Sequence, residues 1–202
     1  MSGEADRRRK IIALIVGSAL ICLGWIAIAY AQEQPPQWSP ERETLDNLEK
    51  TIPETPEGRF HSLAALARAA YDAGEMSKAE NYADELLASA PRYRKDWAYG
   101  DAIFTANTVA GLVAISRDHN LARADGYLLD SARNNPGSPT LWSFGPSMRL
   151  AKELLDAGER NIVVDFLGAC GGFWRNGKDK LAGWKRAIEA GERPNFGPNL
   201  RY

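Results

Sequence analysis

The ten residues Leu66-Ala67-Arg68-Ala69-Ala70-Tyr71-Asp72-Ala73-Gly74-Glu75 recur further on as Leu150-Ala151-Lys152-Glu153-Leu154-Leu155-Asp156-Ala157-Gly158-Glu159, with six of ten identical. A near-copy inside one chain restricts the fold more than any bulk property, because the same supersecondary unit is being used twice. Leu63, Leu66, Ala67 and Ala70 stand at i, i+3, i+4 and i+7, on one face of a helix, and Gly74 supplies the turn that ends it. A second helix runs from about Ser77, which can cap it, through Ala79, Tyr82, Ala83, Leu86 and Leu87, until Pro91 stops it. Between the two copies, Ala124-Asp125-Gly126-Tyr127 echoes Ala79-Glu80-Asn81-Tyr82 after an apolar helix from Ile103 to Ile115, with Asp118-His119-Asn120 as the turn. The expectation is an all-α domain over 59–202 made of about three α-hairpins. An amphipathic helix from about Asp179 to Ala190, with Leu181, Trp184 and Ile188 inward and Gly191 closing it, suits a cap on the last hairpin.

The other end of the chain carries an address. Arg7, Arg8, Arg9 and Lys10 form a basic segment within 1–10, followed by an uncharged run of 21 residues from Ile11 to Ala31. As a helix that run is about 31 Å long, the hydrocarbon thickness of a bilayer, and its basic flank stays on the cytoplasmic side. Residues 11–31 are therefore expected to target the remainder out of the cytoplasm, and their length favours a retained transmembrane anchor. The alternative is a cleaved signal peptide, because Ala29-Tyr30-Ala31 is a small-x-small triplet with polar Gln32-Glu33-Gln34 behind it, placing the cut after Ala31. Ile21 before Cys22 is too bulky for a site resembling a lipobox. Residues 32–58, with Pro35, Pro36, Pro40, Pro53 and Pro56, read mostly as extended linker, with one short helix over 44–50. Trp38 falls where indoles partition to a membrane interface.

The first hairpin, through Leu66, Ala67, Gly74, Ala79 and Pro91, resembles a tetratricopeptide repeat, and the stretch Ser138-Pro139 through Ser143-Phe144-Gly145-Pro146 with Phe173-Trp174 looks like uncharacterised bacterial proteins of that kind. The resemblance implies a concave groove lined by the first helix of each hairpin. It places His61, Ala64, Arg68, Tyr71 and Asp72 there from the first copy, and Met148, Lys152, Leu155 and Asp156 from the third. Arg68 and Lys152 occupy equivalent places, and with Tyr71 they are expected to contact an acidic or C-terminal peptide, since guanidinium and ammonium groups recognise carboxylates.

No catalytic constellation stands out. His61 and His119 are the only histidines, in no spacing typical of a metal or nucleophilic site. Gly168-Ala169-Cys170-Gly171-Gly172 follows a helical run rather than a strand, so it lacks the context of a phosphate loop, and Cys170 reads as a small buried hydrophobe. Five tryptophans follow Ala31, and all but Trp38 read mainly as core. Residues 32–169 carry 14 bases against 21 acids, and residues 170–202 seven against three. That basic tail, with Lys178, Lys180, Lys185 and Arg186, reads as solvated helix surface or as a dock for an acidic partner or lipid headgroups. The chain is thus expected to be a membrane-tethered, non-enzymatic interaction module in the cell envelope, facing away from the cytoplasm. Its partner is expected to be an envelope protein or peptide and not nucleic acid, and no cofactor or metal is implied. A cleaved, soluble form of the same module is the alternative, and an envelope enzyme with an unrecognised site is a reading of another class.

Overall fold

Every regular element in the computed structural model, which describes residues 39–200, is helical. The readings of 1–10 and 11–31, of cleavage after Ala31 and of Trp38 lie outside the described residues. Among the described residues there are nine α-helices and no strand, and no helix is long and apolar enough to cross a membrane.

Helix α1 spans Pro40–Lys50 and is better built than the proline-rich composition suggested. Proline at the first helical position forfeits a donor that has no intrahelical partner anyway. Glu41 and Glu43 in the first turn and Lys50 in the last complement the macrodipole. Leu45 is fully buried, with Leu48 and Ile52 packed beside it. The extended stretch expected over much of 32–58 is therefore interrupted by a helix longer than 44–50 and part of the core.

Helix α2, Pro56–Asp72, is started by Thr55, whose hydroxyl accepts from the Gly58 N–H at 3.1 Å, again with a proline in the first turn. It buries Leu63, Leu66, Ala67 and Ala70, the face read from the sequence, and adds Phe60 and Ala69. Helix α3, Met76–Ser89, buries Ala79, Ala83 and Leu86. Ser77 is not its cap: the flanking residue is Glu75, without a side-chain cap bond, because the tight turn leaves no room for an extra residue. In that turn Gly74 takes φ +76°, and two bonds close the chain, Gly74 N–H to Tyr71 O at 3.0 Å and Glu75 N–H to Ala70 O at 2.8 Å. Pro91 ends α3 in a short 3-10 turn, Ala90–Tyr93.

Helix α4, Tyr99–Ser116, is the axis of the domain, since every residue from Phe104 to Ala114 is buried. A helix apolar on all sides is stable only when covered on all sides. It packs against α2, α3, α5 (Leu121–Ala132), α6 (Pro139–Ser143) and α7 (Arg149–Asp156). One flank, with Val109 and Val113, meets Phe60, Leu63, Leu66, Leu86 and Leu45. The other, with Phe104 and Leu112, meets Leu128, Leu154 and Phe166. The α4–α5 turn uses His119 at φ +51°, and the Asn120 side chain caps α5 by accepting from Arg123 N–H at 3.0 Å.

Helices α7 and α8 (Arg160–Cys170) repeat the first turn bond for bond: Gly158 N–H to Leu155 O at 3.1 Å and Glu159 N–H to Leu154 O at 2.9 Å. Helix α9, Lys178–Glu189, covers α8 with Leu181, Trp184 and Ile188, the residues expected to face inward. The chain then returns to the body, where the Asn199 amide donates to Phe144 O at 3.1 Å and Pro146 O at 2.9 Å. Trp174 and Trp184 are core, but Trp97 is 63% and Trp142 49% exposed, against the expectation that these residues are mainly core. Trp97 sits in the connection before α4 and Trp142 on the outer side of the short helix α6, so neither ring is needed to seal the helix faces.

Candidate binding groove

A hollow of about 790 Å³ opens between α1, α2, α4, α6 and the segment leading into α7. Its apolar lining includes Leu48, Tyr71, Phe104, Val109 and Leu112, and the mouth carries Phe144, 64% exposed. Helix periodicity produces the arrangement: Arg68, Tyr71 and Asp72 are one turn apart on α2, and Asp101, Thr105 and Thr108 repeat at nearly the same interval on α4.

Two guanidiniums enter this space. The Arg149 group lies 5.4 Å from the Tyr71 ring centroid and donates through Nη2 to Asp72 Oδ1 at 2.7 Å. The Tyr71 hydroxyl is in turn 2.9 Å from Ser116 Oγ, so the ring is fixed from both ends. Arg68 is arranged differently. It is exposed and lines the hollow, and its one side-chain hydrogen bond among the described residues runs from Nη1 to Thr105 Oγ1 at 3.1 Å. No carboxylate among the described residues stands within ion-pair distance of it, although Asp101 and Asp72 are near enough to attract it. Burial lowers the Arg68 pKa, Asp101 and Asp72 oppose that shift, and Arg149 adds to it. The group stays charged, because an arginine starts so far above neutrality. Burial likewise raises the Asp101 carboxyl, partly offset by hydrogen bonds from the Ser138 and Thr140 hydroxyls and by the Arg68 charge.

Of the expected groove residues, the structure brings Arg68, Tyr71 and Asp72 together and leaves Lys152 and Asp156 elsewhere. Lys152 donates to Asp156 Oδ2 at 2.7 Å, Arg193 approaches the same carboxylate at 3.0 Å, and none of these residues lines the hollow. The hydrogen bond from Lys152, with the charge of both cations, holds the Asp156 carboxyl below its ordinary range. Met148 is fully buried and Leu155 nearly so, which makes them core. His61 turns away toward Asp96. Equivalent sequence positions thus do not present equivalent surfaces. The third pair is rotated so that Arg149, one turn before Lys152, takes the inward place. Arg149 and Asp101 were missed by the sequence reading, and nothing local marks them, since each is simply a charged residue in the first turn of a helix.

Comparison of the chain with protein-family models, with curated proteins and with solved structures finds no match in any of the three. The likeness of the first hairpin to a tetratricopeptide repeat therefore has no counterpart in a matched family, and the groove has to be read from its own chemistry.

Proposed function

We propose that this chain is a non-enzymatic, tetratricopeptide-like interaction module whose groove binds the acidic or C-terminal end of a peptide. The observation that carries the reading is Arg68: an exposed guanidinium on the wall of a largely apolar hollow, with one hydrogen bond among the described residues, to the Thr105 hydroxyl, beside a space of about 790 Å³. A carboxylate is the complement of such a group, and bidentate pairing adds direction to the attraction. Tyr71, Phe104 and Phe144 supply the apolar contact that peptide grooves use beside a charged anchor. The turns closing α2 and α7 and the stacking of α2–α3, α4–α5 and α7–α8 support the helical-hairpin reading. Against catalysis, His61 pairs with Asp96 rather than with a nucleophile.

The address of the module rests on sequence: residues 11–31 tether it to the inner membrane, with the helical domain outside the cytoplasm. Carbonate extraction with N-terminal sequencing tests that, since a mature terminus at Gln32 contradicts a retained anchor. The groove is tested on an array of peptides ending in a free carboxylate beside the same peptides amidated. Binding should require the free carboxylate and weaken about tenfold or more in Arg68→Ala, the loss expected for one charge-assisted contact. Lys152→Ala should bind normally. Equal binding of amidated peptides, or an undiminished Arg68→Ala, contradicts the proposal.

A further inference from the structure

Apart from the groove, the start of α2 and the connection into α4 bring together three side chains that donate to metals: Glu57, His61 and Asp96, whose ligand atoms lie within 4.8 Å of one another. Glu57 and His61 are one helical turn apart on α2, so they share a face. Asp96 arrives on a loop whose position is set independently. The Phe60 and Tyr93 rings stack at 4.2 Å, Asp96 N–H donates to Tyr93 O at 2.9 Å, and Tyr99 N–H donates to Asp96 O at 3.1 Å. Its side chain is oriented as well, because Oδ1 accepts from Ala98 N–H at 2.8 Å, leaving Oδ2 turned to His61 Nε2 at 3.1 Å. The His61 ring is held between Phe60 and Trp97, each with its centroid 5.5 Å away.

We propose that Glu57, His61 and Asp96 form a three-ligand site for a zinc-type divalent transition-metal ion, open to water at the remaining position. Two ligands at tetrahedral angles and bond lengths near 2.0–2.1 Å are about 3.4 Å apart, close to the spacing already present between His61 Nε2 and Asp96 Oδ2. The bond from Ala98 to Asp96 is the outer-shell support that orients a ligating carboxylate. The donor set selects the ion. One imidazole nitrogen with two carboxylates suits zinc, whereas calcium and magnesium favour oxygen alone and more ligands. Arg92, Arg94 and Lys95 on the adjoining loop add a repelling field that weakens every divalent cation alike, so the choice of ion rests on the donor set. The bound ion ties the loop 93–97 to the first turns of α2.

The test is calorimetric titration of the full chain with zinc chloride, and separately with magnesium and calcium chloride. One equivalent of zinc should bind saturably and raise the melting temperature, with neither of the other ions binding in the same range. His61→Ala and Glu57→Gln should each weaken zinc binding about tenfold or more, and Asp96→Asn, which keeps the bond from Ala98, should do the same. His119→Ala should bind as the parent does. Circular dichroism of each variant separates a lost ligand from a lost fold, and the exposed Glu57→Gln leaves the core untouched. Zinc binding that survives His61→Ala and Glu57→Gln overturns the site, as does the absence of saturable binding up to about 1 mM, the weakest affinity counted as binding.

Discussion

Gly100, in the first turn of α4, is the position where a single methyl group should do most harm. A Cβ there would stand 2.0 Å from the Gly137 carbonyl oxygen, 2.4 Å from its carbon and 2.9 Å from Asn135 Oδ1. The first two are backbone atoms of a loop with little freedom to retreat. The Asn135 amide donates to Gly100 O at 3.0 Å and to Ser131 O at 2.8 Å, and its Oδ1 accepts from Gly137 N–H at 2.8 Å. Gly100→Ala must push α4 and this loop apart. Overpacking of this kind costs about 1–3 kcal/mol, and breaking the bond between Asn135 and Gly100 costs about 1 kcal/mol more. The better helix propensity of alanine returns about 1 kcal/mol at most, so the net loss is about 1–3 kcal/mol. With a urea dependence of about 2 kcal/mol per molar, the midpoint of unfolding should fall by about 1 M. The same loop leads to Thr140 in the wall of the hollow, so peptide binding should weaken with it. Gly126→Ala in α5 is the control, since its Cβ would meet nothing within 4 Å, and that variant should gain up to about 1 kcal/mol. A Gly100→Ala midpoint within about 0.2 M of the parent would refute the reasoning, because the loop would then have yielded at almost no cost.

Asp125 offers a second test: its Oδ1 is buried without a hydrogen-bond partner among the described residues, and its pKa is raised above the ordinary 3.8 by burial and by Glu159. A raised folded value means the native state holds the proton more tightly than the unfolded chain, so this group favours folding below about pH 3.8 and loses that contribution as pH rises through the raised value. Asp125→Ala should therefore be more stable than the parent at neutral pH, by up to about 1 kcal/mol, with the difference vanishing in acid; a constant difference in denaturation midpoints across that range would contradict it. Cys170 is fully buried and its thiol is pushed well up by burial. Since the thiolate is the reactive form, a disulfide reagent added to a Cys22→Ser variant should label Cys170 only as fast as the domain unfolds, and prompt labelling in native buffer would show that the site opens locally.

Much of the fold was legible because its signals are local. The apolar stripe of α2, the inward residues of α9 and the turn glycines Gly74 and Gly158 depend on 3.6-residue periodicity and on a left-handed backbone, both properties of a few neighbouring residues. The reading failed where proline was weighed by composition rather than by position. Pro40 and Pro56 open helices, and the Leu45 they bracket belongs to the core. The candidate groove was legible by half. Arg68, Tyr71 and Asp72 share one helix face and therefore stay together, whereas Lys152 and Asp156 were placed beside them by equivalence between copies.

The helicity of the described body, the places of its chief turns and its apolar faces follow from the order of residues, because each of these is set within a turn or two of chain. What meets across helices comes from packing. Packing turned Arg149 rather than Lys152 into the hollow with Arg68, set Asp101 in the same wall, and carried Asp96 across to His61. Those juxtapositions depend on the rotation of each helix about its axis, which is fixed by how α4 is enclosed on all sides rather than by any one segment.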